Sequence, residues 1–157
     1  MKNLFVVTSL LLLLSVTTLC CAQSSKKNSN ENIIEVDEAY FKANIFDYEN
    51  NPTQFVYKGD TPAIIDFHAT WCGPCKALAP KLKRVAEKYG KALVIYKVDI
   101  DKNENLAKTF GISSVPTMLF VPLNETPYLS TGNLPEDDIE KMVQKILPQK
   151  SDYEKKK

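Results

Sequence analysis

The 157-residue sequence lacks a charge excess of either sign, a hydrophobic run long enough to cross a membrane, and more than one histidine. Its 20 basic and 19 acidic residues leave a formal net charge of +1, which argues against a surface for nucleic acid. Its longest apolar run, residues 4–14, falls short of the roughly 20 residues of a membrane-spanning helix. What remains is an ordinary globular composition, 44% hydrophobic and 25% charged, sized for one domain.

The N-terminal residues differ in composition from the rest of the chain. Lys2 precedes the apolar run, and a small and polar stretch, residues 15–18, follows it. This layout is typical of a secretory signal peptide, so we assign residues 1–22 to one. Residues 23–32 offer no apolar side chain to a core and are expected to form a flexible linker, and the Lys-rich residues 149–157 a disordered tail.

The expected cleavage site follows Ala22, with Cys20 and Ala22 as the small residues that such a site requires. Cleavage there removes Cys20 and Cys21 and leaves a mature chain with two cysteines. The alternative is a bacterial lipoprotein attached to the membrane through Cys20 or Cys21. Leu19 argues against lipid attachment at Cys20, because lipoprotein processing favours a small residue before the modified cysteine.

Between these segments, residues 33–148 alternate strand and helix patterns. Strands are expected at 33–36, 63–69, 92–100, 117–121 and 128–131, and helices after Asp37, at 72–89, at 104–110 and from Pro135 to 147. The first helix should carry Tyr40, Phe41 and Ile45 on one apolar face. The order β-α-β-α-β-α-β-β-α predicts a single α/β domain.

Cys72-Gly73-Pro74-Cys75 stands at the start of the second predicted helix. Two thiols at this spacing can close on each other, which indicates a reversible dithiol/disulfide centre. Cys72 lies where free backbone N–H groups and the helix dipole favour a thiolate, so it is the expected nucleophile. Cys75, one turn further on, is the expected resolving thiol, and Pro74 suits the first helical turn.

Two other interpretations of the cysteine pair stay open. A zinc site needs four ligands, and the mature chain would add only His68 to the two cysteines. A purely structural disulfide is possible, although closing so short a loop constrains the unfolded chain little.

The segment from Asp66 to Lys76 resembles the strand, active-site loop and helix start of the thioredoxin family. Val115-Pro116-Thr117 is similar to that family's cis-proline loop, and Pro80 to its helix-kinking proline. The resemblance extends over residues 33–148. It implies the thioredoxin fold, a three-layer α/β/α sandwich around a central mixed sheet.

The resemblance also implies roles for individual residues. Asp66 would be the buried carboxylate that, through water, accepts and returns the proton of Cys75, and Lys97 would be the lysine paired with it. A carboxylate buried beneath the disulfide should have a raised pKa, which suits proton exchange near neutral pH.

Other positions would shape the substrate groove. Pro116 would lie against the sulfurs, with the backbone of Val115 available to pair with an extended substrate. Gly132 would leave room for that substrate, while Trp71 and Gly73 would belong to the rim of the site. Two departures from the family pattern stand out: His68 replaces an aromatic residue, and the loop at 123–126 lacks a turn glycine.

The resemblance implies a protein-disulfide reductase that needs no cofactor beyond the Cys72–Cys75 pair. A reductase of the thioredoxin type has a potential near −270 mV, whereas a strong periplasmic oxidant lies near about −120 mV. Together with the predicted signal peptide, the resemblance predicts a monomeric enzyme of the bacterial periplasm that acts on disulfide-containing client proteins. Because that compartment is oxidising, a membrane thiol-electron transporter is the expected reductant. The alternatives are a disulfide oxidase or isomerase of the same fold, and a redox-inactive peptide-binding module.

Overall fold

Strands and helices alternate through residues 32–148, the part of the chain that the computed structural model describes. The strands are β1 Ile33–Glu35, β2 Ala63–His68, β3 Val94–Asp99, β4 Thr117–Val121 and β5 Tyr128–Thr131. The helices are α1 Glu38–Asn44, α2 Gly73–Tyr89, α3 Glu104–Thr109 and α4 Glu136–Ile146. The order predicted from the sequence is confirmed. The predicted signal peptide, nearly all of the linker and the Lys-rich tail lie outside the described residues.

The strands form one mixed sheet in the order β1-β3-β2-β4-β5. The first three in that order are parallel to one another, β4 is antiparallel to β2, and β5 is antiparallel to β4. The carboxyl ends of the parallel strands therefore meet at one end of the sheet, where ligand and active sites of α/β proteins commonly lie.

Helices cover both faces of this sheet, so the predicted three-layer sandwich is confirmed. On one face, α1 and α3 contribute the buried Phe41 and Leu106 to a core that includes Ile65 and Phe67 of β2. On the other face, α2 and α4 pack on alternate residues of the same strands. This second core includes the buried side chains Ile64, Leu78, Leu82, Val85, Ile95, Met118, Phe120, Ile139, Val143 and Ile146.

Helix α1 buries fewer of its apolar side chains than the sequence pattern predicts. Asp37 caps the helix as predicted, its Oδ1 accepting a bond from the Tyr40 N–H at 2.8 Å. Phe41 and Ile45 are fully buried, but Tyr40 is 38% exposed, so its predicted place on the buried face is wrong. Adjacent helical positions point about 100° apart, and Tyr40 lies at the rim with its ring 6.2 Å from that of Tyr96.

Two boundaries differ from the sequence-based expectation. Gly90 adopts a positive φ of 51° after α2, and residues 90–92 form a short 3₁₀ turn. Strand β3 therefore begins at Val94 rather than at residue 92. At its other end, α2 begins at Gly73, and Cys72 is the N-cap rather than the first helical residue. Within residues 32–148, no helix has both the length and the apolar character of a membrane span.

Candidate active site

Cys72 and Cys75 form a disulfide at the N-terminus of α2, with their Cα atoms 5.3 Å apart. As the N-cap, Cys72 has an extended backbone, and its Sγ accepts a bond from the Cys75 N–H at 3.1 Å. Gly73 and Pro74 fill the exposed first turn between them. In the reduced protein the same amide and the helix dipole favour a thiolate at Cys72 over one at Cys75.

Both cysteines are largely buried, and they join a small apolar cluster with Ala69, Ile100 and Val115. Cys72 is 3% exposed and Cys75 is 8% exposed, so exposure does not distinguish the nucleophile from the resolving thiol. The two cysteines differ in that the Cys72 sulfur accepts a hydrogen bond from the Cys75 backbone N–H.

The loop before β4 lies against the disulfide. The Cys72 Sγ is 3.6 Å from the carbonyl oxygen of Val115, and the Val115–Pro116 peptide bond is cis. The carbonyl of the buried Pro116 accepts a bond from the Gly132 N–H at 2.8 Å, which ties this loop to the end of β5. Gly132 has a φ of 99°, and a Cβ there would meet no atom of residues 32–148 within 4 Å. The glycine is required by its backbone conformation, and the space beside it is open.

Trp71 is the large exposed side chain of the site. It is 66% exposed, and its indole N–H donates to Asp101 Oδ2 at 2.8 Å. Sequence reasoning missed Asp101, because the two residues are 30 positions apart and only the fold brings the turn after β3 beside the active-site loop. The bond holds an exposed aromatic ring next to the disulfide, at the rim where the sequence analysis placed it.

Asp66, near the end of β2, is only 3% exposed, and its Oδ1 has no hydrogen-bond partner among the described residues. Burial raises the pKa of this carboxyl from 3.8 to about 6. Positive charge on His68 and Lys97 opposes that rise, whereas the nearby carboxylate of Glu35 adds to it. The group can therefore gain and lose a proton close to neutral pH.

Lys97 does not form the ion pair that the resemblance implied. It stands directly opposite Asp66 in the β2–β3 register, yet its Nζ pairs with Glu35 Oε2 at 3.4 Å. The physical reason is solvation, since Glu35 is half exposed and Asp66 is buried. An ammonium group that turns toward Glu35 stays partly hydrated, and a fully buried ion pair would cost both charges their water.

His68 and Glu35 make a second contact beside the buried acid. The His68 Nε2 lies 2.9 Å from Glu35 Oε1, so the imidazole is hydrogen-bonded. Glu35 itself was missed. It lies on the edge strand, and only the pairing of Glu35 with Lys97 across β1 and β3 shows that it belongs to the site.

A metal site is not visible in the region from residue 32 to residue 148, where no three His, Cys, Asp or Glu side chains are grouped to bind an ion. A disulfide at a helix N-terminus, a proline loop against its sulfur and a buried carboxyl group nearby define a thiol–disulfide oxidoreductase.

Comparisons with known proteins agree with this class. The thioredoxin family model matches residues 43–145, and the chain belongs to the thioredoxin family. It is 42% identical to a thioredoxin of Borreliella burgdorferi over 110 residues, covering 70% of this chain and 93% of the relative. It is also 42% identical to the mitochondrial thioredoxin of Mus musculus over 93 residues, but covers only 55% of that protein.

A solved structure of chloroplastic thioredoxin z superposes with a TM-score of 0.60 at 28% identity, covering 73% of this chain and 94% of the other. Together with the Cys72–Cys75 disulfide, the family assignment makes this protein a thioredoxin-type protein-disulfide reductase. The redox-active interpretation of the cysteine pair thus replaces the zinc and purely structural ones.

Replacing Asp66 by Asn should stabilise the oxidised protein at neutral pH. Because the folded carboxyl has a pKa near 6 against 3.8, the folded protein keeps a proton that the unfolded chain releases between these values, so stability falls as pH rises through this window. Guanidinium unfolding at pH 7 should show a gain of roughly 2–3 kcal/mol for Asp66→Asn. The gain should vanish below about pH 4, and an equal gain at both pH values would contradict the raised pKa.

Proposed function

We propose that the protein is an exported thioredoxin that reduces the disulfides of client proteins through a Cys72/Cys75 dithiol–disulfide cycle. The observation that carries this proposal is the Cys72 sulfur at the N-cap of α2, which accepts a hydrogen bond from the Cys75 N–H at 3.1 Å. The buried carboxyl group of Asp66 lies on the strand that leads into the same loop. The Gly73-Pro74 pair between the cysteines, which matches the reductase members of the fold, supports the reducing direction. One chain supplies every group the cycle needs, which supports action as a monomer.

In the first step, the Cys72 thiolate attacks a client disulfide. A bond forms between Cys72 Sγ and one client sulfur, the client S–S bond breaks, and the other client sulfur leaves as a thiolate that takes up a proton. The helix N-terminus favours the attacking anion because its free amides point at the sulfur.

In the second step, Cys75 loses its proton and attacks Cys72 Sγ. The new Cys72–Cys75 bond forms as the mixed disulfide breaks, and the second client sulfur leaves as a thiolate. The client has gained two electrons and the protein has lost two. We assign the proton of Cys75 to Asp66, by way of water, since a carboxyl with a pKa of about 6 is ionised often enough to accept it.

The surface beside the disulfide suits an extended client segment. Val115 offers its backbone next to the Cys72 sulfur, Gly132 leaves open space, and Trp71 provides an exposed aromatic face. Backbone pairing gives affinity with little sequence preference, which fits an enzyme that must accept many disulfides. A peptide-binding module without redox chemistry would use the same groove, and turnover distinguishes the two.

Insulin reduction tests the cycle. Cys72→Ser should abolish turnover because no nucleophile remains, and Cys75→Ser should stall at the mixed disulfide, visible as a covalent insulin adduct by mass spectrometry. Lys76→Ala, at an exposed position next to Cys75, is the control and should keep at least about half of the wild-type rate. Turnover that survives in Cys72→Ser would refute the cycle.

The reducing direction sets the expected potential. The Cys72/Cys75 pair is equilibrated with a glutathione redox buffer, and its oxidised fraction is measured by thiol alkylation and mass spectrometry. The reduction potential should be about −270 mV. A value above about −200 mV would instead identify the oxidase or isomerase alternative.

Export is supported by the features of the predicted signal peptide, which are Lys2, the apolar run at 4–14 and the small residues before Ala22. In an oxidising compartment without NADPH, the Cys72/Cys75 pair needs electrons from across the membrane. We therefore propose a membrane thiol-electron transporter as the reductant and the bacterial periplasm as the location, with lipid attachment at Cys20 or Cys21 as the alternative.

Two measurements on the native organism test this part. Mass analysis of the mature protein should find Gln23 as its first residue, and a lipid-modified cysteine would overturn cleavage after Ala22. Acid trapping should find part of the Cys72/Cys75 pair reduced, and all of it oxidised once the transporter is deleted. A pair that is fully oxidised with the transporter intact would exclude this electron supply.

A further inference from the structure

The buried acid belongs to a row of charged residues that crosses three parallel strands. Glu35 on β1, Lys97 on β3 and Asp66 on β2 are partners in the sheet register. His68 lies two residues beyond Asp66, and alternate residues of a strand point to the same face. The side chains of all four therefore share the face of the sheet that α2 covers.

Within this row, Glu35 contacts both basic side chains. Its Oε1 lies 2.9 Å from the His68 Nε2, and its Oε2 lies 3.4 Å from the Lys97 Nζ. Side-chain exposure is 11% for His68, 24% for Lys97 and 55% for Glu35. The row thus runs from a buried carboxyl group, past a nearly buried imidazole, to a carboxylate in water.

We propose that His68 and Glu35 are positioning residues for disulfide exchange: Glu35 fixes the imidazole of His68 beside Asp66, and the pair sets the pH range in which Asp66 exchanges its proton. The inference rests on the proposed role of Asp66 and assigns its regulation to two residues outside the cysteine motif.

The charges of the pair act on Asp66 with opposite signs. After burial, the largest influence on the pKa of Asp66 is the positive charge of His68, which lowers it, and Lys97 acts in the same direction with less effect. Glu35 raises the pKa of Asp66.

Two further charged residues on the neighbouring elements, Asp99 and Lys83, have ion-pair partners of their own. Asp99, opposite His68 in the register, is buried, and its carboxylate pairs with Lys102 at 3.4 Å and accepts the Asp101 N–H. From α2, Lys83 lines a cavity of about 270 Å³ together with Lys97, and Lys83 has its own partner in Glu87. Strand β4 places the uncharged Met118 opposite Asp66. Neither Asp99 nor Lys83 is among the causes of the shift in the pKa of Asp66.

Of the four residues in the row, Lys97 borders this cavity. The cavity lies between β1, β3 and α2 and is lined by Ile33, Ala79 and Leu82 in addition to the two lysines. A space of this size admits several waters, each of which occupies roughly 30 Å³ in the liquid.

Direct titration of Asp66 by ¹³C NMR of its carboxyl carbon tests the inference in the oxidised, full-length protein. His68→Gln removes a positive charge and should raise the midpoint by about 0.5–1 pH unit, whereas Glu35→Gln removes a negative charge and should lower it by a similar amount. His68→Lys restores a positive charge and should return the midpoint to the wild-type value or below. Glu136→Gln, which breaks the exposed Arg84–Glu136 pair at 2.7 Å between α2 and α4, is the matched control and should leave the midpoint unchanged.

Opposite shifts in the two Gln variants, with rescue by lysine, support the inference, because a merely structural role would not reverse in sign. Shifts of the same sign, or none in variants that keep the wild-type circular dichroism, would overturn it. The pH profile of mixed-disulfide resolution separates this failure from that of the proposed function. If Asp66→Asn leaves that profile unchanged, the role of Asp66 fails whatever the NMR midpoints show.

Discussion

The parallel pairing of β2 with β3 is the constraint on which the active site depends. It brings Asp66 opposite Lys97 and His68 opposite Asp99, and the chain leaves the sheet immediately afterwards. The turn that follows ends at Cys72, the N-cap of α2, and the helix folds back over the same face. The helix that presents the disulfide therefore also seals the carboxyl group beneath it. A change of one residue in this register would send Asp66 to the opposite face of the sheet, away from the disulfide.

At Asp66 the requirements of stability and of chemistry conflict. Burying a carboxyl oxygen that has no hydrogen-bond partner among the described residues is unfavourable. The charges of His68 on β2 and Lys97 on β3 relieve this cost in part, whereas the charge of Glu35 on the edge strand adds to it. The apolar cores on the two faces of the sheet supply the stability that tolerates this arrangement. The same unfavourable burial brings the carboxyl group into the pH range where it can exchange protons.

Much of this architecture could be predicted from local sequence signals. The helical spacing of Leu78, Leu82 and Val85 marked α2, the cysteine motif marked its N-terminus, and the continuous apolar run from residue 63 marked a central strand. The partners of Lys97 and His68 could not be predicted, because Glu35 is 33 positions from His68 and 62 from Lys97. No local pattern states how a three-residue strand aligns with its neighbour. Resemblance to a family conveys that a lysine stands at position 97, and it does not convey that the ammonium group of this lysine lies 3.4 Å from Glu35.

Glu35 lies on β1, a strand of three residues at the edge of the five-stranded sheet, beside β3. Its side chain is more than half exposed and contributes nothing to either apolar core. Substitution there alters the charge felt by the buried acid without disturbing the disulfide loop, the proline turn or the helix that carries the cysteines. The fold thus separates the groups that carry out disulfide exchange from an exposed residue whose charge acts on them from the margin of the sheet.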